Sequence, residues 1–174
     1  LFVLHFTFRC MPKPQKLVPP LAADDAKIIK PANLPHAVRG FKDVLPQEQR
    51  QWGWVTRTLT DLAEGLGYGR IDLPVLEETN LFVRAVGRHT DIVTKEMFSF
   101  IDPGGENLSL RPEATPGVVR AYLEHGFGSQ PQPVRLFYLG PMFRRERPQH
   151  GRYRQFTQFG AEVIGSPAPI VDAQ

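Results

Sequence analysis

Arginine is concentrated near the end of this 174-residue chain. Of the six arginines from Arg135 onward, five fall within residues 144–154, while the only acids from Arg135 onward are Glu146, Glu162 and Asp172. Arginine presents a planar, permanently charged fork that matches the geometry of phosphate and carboxylate groups. We therefore predict that a phosphate-rich anion binds at this stretch, which forms a turn between two strand-like segments.

The segment after the turn, residues 154–164, is predicted to be a strand with a polar face. Because alternate residues of a strand share a face, Gln158, Gly160 and Glu162 lie on one side, with the two polar side chains about 13 Å apart. Glycine has no side chain, so we expect a small molecule to lie on the backbone at Gly160, between an amide and a carboxylate. A ligand with a basic ring or an amine fits this face, and a solvent-facing strand is the alternative.

Arg144 lies on the incoming arm of the predicted hairpin, next to Arg145. A desolvated arginine that bridges a substrate carboxylate and a nucleotide phosphate stabilises charge that develops in a phosphoryl-centred transition state. We assign that role to Arg144. For Arg145 and Arg147 the alternative of surface ion pairs, each worth at most ~1 kcal/mol, is equally favoured.

A second polar segment, residues 110–117, contributes Glu113 and Thr115 where a predicted strand passes into a predicted helix. A carboxylate at such a junction is well placed to hold an ammonium group. Two structural alternatives remain open: Glu113 pairs with Arg111, and Thr115 caps the helix N-terminus.

The totals describe an ordinary, mildly basic globular protein. The chain is 41% hydrophobic and 22% charged, with a net charge of +3 and a pI near 9.2, which permits a nucleotide or nucleic-acid partner. Its single cysteine, Cys10, excludes an internal disulfide and a cysteine zinc cluster, and favours a reducing compartment. No run approaches the ~18 apolar residues of a membrane helix. We expect a cytoplasmic protein with no membrane segment and no metal site.

Residues 1–38 are predicted to form a proline-rich, disordered tail, since proline at this density blocks regular helix and central strand. Order is predicted from Arg39 onward. The predicted helices span residues 46–66, 82–86 and 115–125, and the predicted strands 68–76, 97–101, 107–111 and 134–139, followed by a hairpin with arms 143–146 and 154–164. Strands joined mainly by turns favour an α+β fold, an antiparallel β-sheet flanked by helices.

These segments together resemble the histidyl-tRNA synthetases, a family of class II aminoacyl-tRNA synthetases. The similarity runs from about Val38 to Ala173. Residues 67–74 resemble the first class motif, which forms the dimer interface, and residues 90–97 the segment leading into the next strands. Residues 110–115 resemble the histidine-binding loop, and residues 143–162 the second class motif. The resemblance implies the class II catalytic-domain fold, with residues 39–174 as its N-terminal portion.

The resemblance also implies roles for individual residues. Glu113, Thr115 and Gln158 would hold the α-ammonium group of histidine, and Glu162 would accept a hydrogen bond from its imidazole. Arg144 would bind the histidine carboxylate and the α-phosphate of ATP. Glu146 would lie near the adenine or the tRNA terminus, and Arg152 would lie near the γ-phosphate.

The implied activity is that of a histidine–tRNA ligase. Such enzymes are homodimers that activate histidine with ATP and Mg²⁺ as a substrate complex, without a tightly bound cofactor, and charge tRNA(His). Ala114 and Pro116 stand where the family commonly has smaller residues. The third class motif, a histidine-specific motif and the anticodon-binding domain would lie beyond residue 174. We therefore expect the chain to be a fragment that forms no adenylate by itself.

Three other functions remain open. The regulatory subunit of ATP phosphoribosyltransferase shares the catalytic-domain fold and binds histidine without charging tRNA. Another class II synthetase would use a different amino acid, although Glu162 favours a basic side chain. A general nucleic-acid-binding module is least favoured, because the chain lacks aromatic residues alternating with basic ones for base stacking.

Overall fold

The computed structural model describes residues 35–149 and 151–168. The tail predicted to be disordered lies outside the described residues except for its last four. Described residues from Ala37 onward belong to one compact unit.

This unit contains three α-helices and six strands among its described residues. They follow in the order α1 (Pro46–Gly65), β1 (Gly69–Arg70), β2 (Leu76–Glu78), α2 (Thr79–Val86), a π-helical turn (Ile92–Glu96), β3 (Phe98–Ile101), β4 (Asn107–Leu110), α3 (Thr115–Glu124), a 3-10 turn (Phe127–Ser129), β5 (Val134–Phe143) and β6 (Gln155–Ile164).

The strands form two three-stranded sheets rather than one. In the larger sheet, ordered β1-β5-β6, β5 and β6 pair antiparallel over ten residues each, while β1 adds a short parallel contact. In the smaller sheet, ordered β2-β4-β3, all pairs are antiparallel. The predicted α+β class with antiparallel strands and flanking helices is confirmed.

Two predicted strands have the wrong bounds. Residues 68–76 contain only β1 and the first residue of β2, with an irregular segment between them. The predicted strand at 134–139 continues through Pro141 to Phe143 as β5, so only the first residue of the predicted hairpin arm 143–146 lies in a strand. β1 pairs with β5 only at Leu136 and Phe137, so no strand needs the missing N–H of Pro141 on that side.

The hydrophobic core lies between α3 and one face of the larger sheet. Residues directly opposite in an antiparallel pair share a face, which places Leu136, Tyr138 and Met142 of β5 on the face that carries Gln158 and Glu162 of β6. These three pack with Ala114 and Val118 of the α3 region. The predicted polar face is therefore also the core face.

α1 begins at Pro46, as predicted, but its apolar stripe is not covered by the described residues. Only Ala63 of this helix is buried, whereas Trp52 is 37% exposed and Leu62 56%. A helix with an amphipathic stripe requires another surface to bury it. α1 therefore offers an apolar face to a partner or to further chain.

Candidate functional site

Thr115 connects the start of α3 to the polar face of β6. Its hydroxyl Oγ1 donates a hydrogen bond to Glu162 Oε1 at 2.7 Å. Ala114 rather than Thr115 precedes the first helical residue, and α3 has no side-chain cap hydrogen bond. The capping alternative for Thr115 is therefore wrong, and its side chain belongs to the polar face.

Glu113 lies beside Arg144, as both sequence roles require. Glu113 Oε2 is 3.9 Å from Arg144 Nη2, and both side chains are only about a quarter exposed, at 26% and 27%. Arg144 is held on two further sides: its Nε donates to the Pro112 carbonyl at 3.1 Å, and its Cζ lies 5.5 Å from the centre of the Phe156 ring. A carboxylate that could bind a cation and a guanidinium that could bind an anion therefore lie next to each other.

Gln158 lies on β6, and its Oε1 is buried. Among residues 35–149 and 151–168 no donor reaches this oxygen. Leaving a buried acceptor unsatisfied costs ~1–3 kcal/mol, so this oxygen would be stabilised by a water or a ligand group that donates to it. An ammonium group is such a donor.

The open backbone expected at Gly160 is wrong, because Tyr138 covers it. These two residues are directly opposite in the β5–β6 ladder. A Cβ atom at position 160 would overlap Tyr138 Cζ and the Tyr138 hydroxyl oxygen. Glycine is required here to admit an aromatic ring, and a ligand would contact the ring rather than the backbone.

Tyr138 is the site residue that sequence reasoning missed. Burial raises the pKa of Tyr138, the carboxylates of Glu162 and Glu113 act in the same direction, and the Thr115 hydroxyl and the Arg111 guanidinium oppose them. The hydroxyl therefore keeps its proton at neutral pH. The signal was the Tyr138–Gly160 cross-strand pair, which becomes visible only once β5 and β6 are paired in register.

Glu146 and Arg152 pair with each other across the turn. Glu146 Oε2 lies 2.6 Å from Arg152 Nε, a close ion pair in which the glutamate side chain is mostly buried and the arginine side chain mostly exposed. Their side chains line a cavity of about 260 Å³ that Arg144 and Phe156 also line. The arginine-rich turn thus adjoins the Glu113–Arg144 pair and provides the cationic end of the site.

A wider groove of about 900 Å³ lies between α2 and α3. Glu113 and Thr115 lie at its edge, and Leu81, Val119 and Leu123 give it apolar walls. The structure therefore brings Glu113 to Arg144 and Thr115 to Glu162, and Glu113 and Thr115 line the same groove. Gln158 lies on β6 four residues before Glu162, and Glu146 and Arg152 form a separate pair.

Substitution of Gly160 by alanine is expected to destabilise the protein by ~1–3 kcal/mol, the usual cost of overpacking a core. The added methyl group would overlap the Tyr138 ring. Chemical denaturation of the Gly160→Ala variant measures this loss. Gly65→Ala is the matched control, since a Cβ there meets nothing within 4 Å. Equal stabilities of the two variants would show that Tyr138 does not occupy this position.

The described residues contain neither a cluster of metal-ligating side chains nor a membrane-spanning helix. No group of three or more His, Cys, Asp or Glu side chains there is arranged to hold a metal ion. No helix in residues 35–149 and 151–168 combines the length and apolarity needed to cross a membrane.

Comparison with known proteins identifies one family. The sequence profile of the family described as histidyl-tRNA synthetase matches residues 40–174. A protein named histidine–tRNA ligase from Desulforudis audaxviator is 54% identical over 136 residues, which cover 78% of this chain and 32% of that relative. The chain thus spans about a third of the length of the curated relatives it matches.

Solved structures of similar fold carry related descriptions. An apo histidyl-tRNA synthetase from S. aureus has a TM-score of 0.68 and 39% identity, covering 80% of this chain and 32% of that one. A protein from Bacillus halodurans described as an ATP phosphoribosyltransferase regulatory subunit/histidyl-tRNA synthetase has a TM-score of 0.64 and 26% identity, covering 76% and 33%.

Proposed function

Because the chain belongs to the histidyl-tRNA synthetase family, we propose that the natural protein containing it is a histidine–tRNA ligase. It activates histidine with ATP and transfers the histidyl group to tRNA(His). The observation that carries this proposal is the adjacency of the Glu113–Arg144 and Thr115–Glu162 pairs, with an unsatisfied Gln158 oxygen on β6.

Histidine recognition follows from the acceptors on this face. Glu113 and Gln158 accept hydrogen bonds from the α-ammonium group, with Thr115 beside them. Glu162 accepts a hydrogen bond from the imidazole, and its bond from Thr115 fixes its orientation. Because the Tyr138 ring lies between Gln158 and Glu162, it supplies a flat apolar surface for the imidazole.

ATP binds as its Mg²⁺ complex at the arginine-rich end of the site. Arg144 bridges the histidine carboxylate and the α-phosphate, Arg152 binds the γ-phosphate, and Glu146 lies near the adenine or the tRNA terminus. A carboxylate oxygen of histidine bonds to the α-phosphorus, the bond from phosphorus to the bridging oxygen breaks, and pyrophosphate leaves. Arg144 stabilises the charge that develops on the α-phosphate oxygens.

The protein acts as a cytoplasmic homodimer in this proposal. The exposed apolar stripe of α1, with Trp52 and Leu62, supports a self-association surface. The single cysteine is in keeping with a reducing compartment.

A histidine-binding regulatory subunit is the second candidate, favoured by the likeness to the Bacillus halodurans protein. Arginines that handle ATP phosphates have no use in such a subunit, so the presence of Arg144 and Arg152 favours the ligase. An anticodon-binding domain encoded after residue 174 would support the ligase further.

Histidine-dependent exchange of labelled pyrophosphate into ATP tests the proposal on the full natural chain. We expect exchange with histidine and none with the other amino acids. Calorimetry with histidine is run in parallel. Histidine binding without exchange would contradict the ligase proposal and favour the regulatory subunit.

A further inference from the structure

Arg111 is a buried charge that none of the roles above uses. Arg111 is 6% exposed, and within residues 35–149 and 151–168 its guanidinium donates to three backbone carbonyls: Nε to Pro141 at 2.9 Å, and Nη1 to Leu73 at 2.6 Å and to Pro74 at 3.2 Å. Burying a guanidinium is costly unless its donors are satisfied. This arginine therefore stabilises a specific arrangement of the segments that supply those carbonyls.

Those carbonyls come from two parts of the chain. Pro141 lies in β5 of the larger sheet, whereas Leu73 and Pro74 lie in the irregular segment that connects β1 of the larger sheet to β2 of the smaller one. Arg111 itself directly follows β4 of the smaller sheet, and its backbone makes two further bonds: its N–H donates to the Val75 carbonyl at 3.0 Å, and its carbonyl accepts from the Phe143 N–H at 3.0 Å. Arg111 thus joins the end of β4 to β5 through its backbone, and its side chain fixes the connecting segment against β5.

Gly140 leaves the space that the guanidinium occupies. A Cβ at position 140 would lie 2.6 Å from Arg111 Nη2, and only Arg111 atoms lie within 4 Å of it. The side chain is held by three carbonyls, so it could not withdraw without losing hydrogen bonds. Gly140 is also directly opposite Gln158 in the β5–β6 ladder, but the atoms that an alanine Cβ would overlap are those of Arg111.

Site residues follow Arg111 and Gly140 closely in the chain. Glu113 comes two residues after Arg111, the intervening Pro112 carbonyl accepts from Arg144 Nε, and Arg144 follows the Phe143 N–H that bonds to Arg111. The relative position of Glu113 and Arg144 thus depends on the junction that Arg111 makes.

We propose that Arg111 is a positioning residue for the histidine site, which sets the placement of Glu113 against Arg144 by joining the two sheets. This inference rests on the proposed function. Arg111 touches no substrate itself. A lysine cannot reproduce it, because one ammonium group on a flexible stem does not present the planar fork that reaches carbonyls on opposite sides.

The test is steady-state pyrophosphate exchange by the full natural chain and its Arg111→Lys and Gly140→Ala variants. Both variants are expected to raise the KM for histidine and to lower kcat/KM for histidine about a hundredfold, as a displacement of ~1 Å does in an active site. The KM for ATP should change much less. A variant that is merely less stable loses active enzyme, which lowers apparent kcat and leaves both KM values unchanged.

Arg120→Lys is the matched control. Arg120 is a partly buried arginine whose guanidinium donates hydrogen bonds to Glu77 and Glu124. Neither of these residues lies in β5. We expect this variant to lose stability without a change in the histidine KM. An unchanged histidine KM in Arg111→Lys and Gly140→Ala would overturn the inference, and if Arg111→Lys does not fold, Gly140→Ala decides alone.

Amide hydrogen exchange separates this inference from the proposed function. An inactive wild-type chain would refute the ligase activity but would not test whether Arg111 joins β4 to β5. In that case the Phe143 amide is expected to exchange at least about tenfold faster in Gly140→Ala than in wild type, since local opening governs its protection. Equal exchange rates would overturn the inference.

Discussion

The Arg144→Ala variant of the full natural chain is expected to lose about a thousandfold in kcat for histidine-dependent pyrophosphate exchange. Removing one donor that meets developing charge typically costs 10²–10³ in kcat, roughly, and an arginine on a transferring phosphoryl group about 10³ or more. Arg144 is placed for this by its bond to the Pro112 carbonyl and its position over Phe156. Arg144→Lys should recover little, since a lysine lacks the planar fork.

The neighbouring Arg145 provides the control. Arg145 is exposed, and its backbone N–H donates a hydrogen bond to the Glu96 carbonyl. Arg145→Ala is expected to exchange pyrophosphate within about threefold of wild type, as surface ion pairs contribute little. Equal losses in the two variants would refute the specific role of Arg144, because they would indicate a general effect of positive charge on ATP binding.

The Glu162→Gln variant is expected to raise the KM for histidine about a hundredfold with a smaller change in the KM for ATP. The amide oxygen can still accept the Thr115 hydrogen bond, but it lacks the charge that favours an imidazole donor. Losing one partner of a buried polar contact costs roughly 1–3 kcal/mol, which corresponds to about one to two orders of magnitude in affinity. Calorimetry with histidine measures the same loss without catalysis.

Glu124→Gln is the matched control for this change. Glu124 is 58% exposed and pairs with Arg120, four residues earlier on α3. We expect its histidine affinity to equal that of wild type. An unchanged affinity in Glu162→Gln would show that the imidazole is recognised elsewhere.

Local patterns predicted α1 and α3 well, because prolines and apolar spacing act within one segment, whereas α2 begins three residues before the predicted helix at 82–86. α1 begins at Pro46, and α3 covers nearly all of the predicted residues 115–125. The resemblance assigned Glu113 and Arg144 to different groups of one substrate, and the structure places their side chains 3.9 Å apart. Their roles toward a substrate remain predictions.

The ladder register between β5 and β6 could not be predicted from the sequence. For this reason the prediction of an open backbone at Gly160 was wrong. Only the register places Tyr138 opposite Gly160, a residue 22 positions later in the chain. Arg111 was considered only as a partner for Glu113. Its actual partners are carbonyls from segments up to 38 residues distant, which no local pattern reports.

A structure of the full natural chain with bound histidine tests the central claim most directly. We predict that the imidazole lies within hydrogen-bond distance of Glu162 and against the Tyr138 ring, with the α-ammonium group at Glu113 and Gln158 and the carboxylate toward Arg144. Histidine bound at any other surface, or bound here with its imidazole directed away from Glu162, would contradict it.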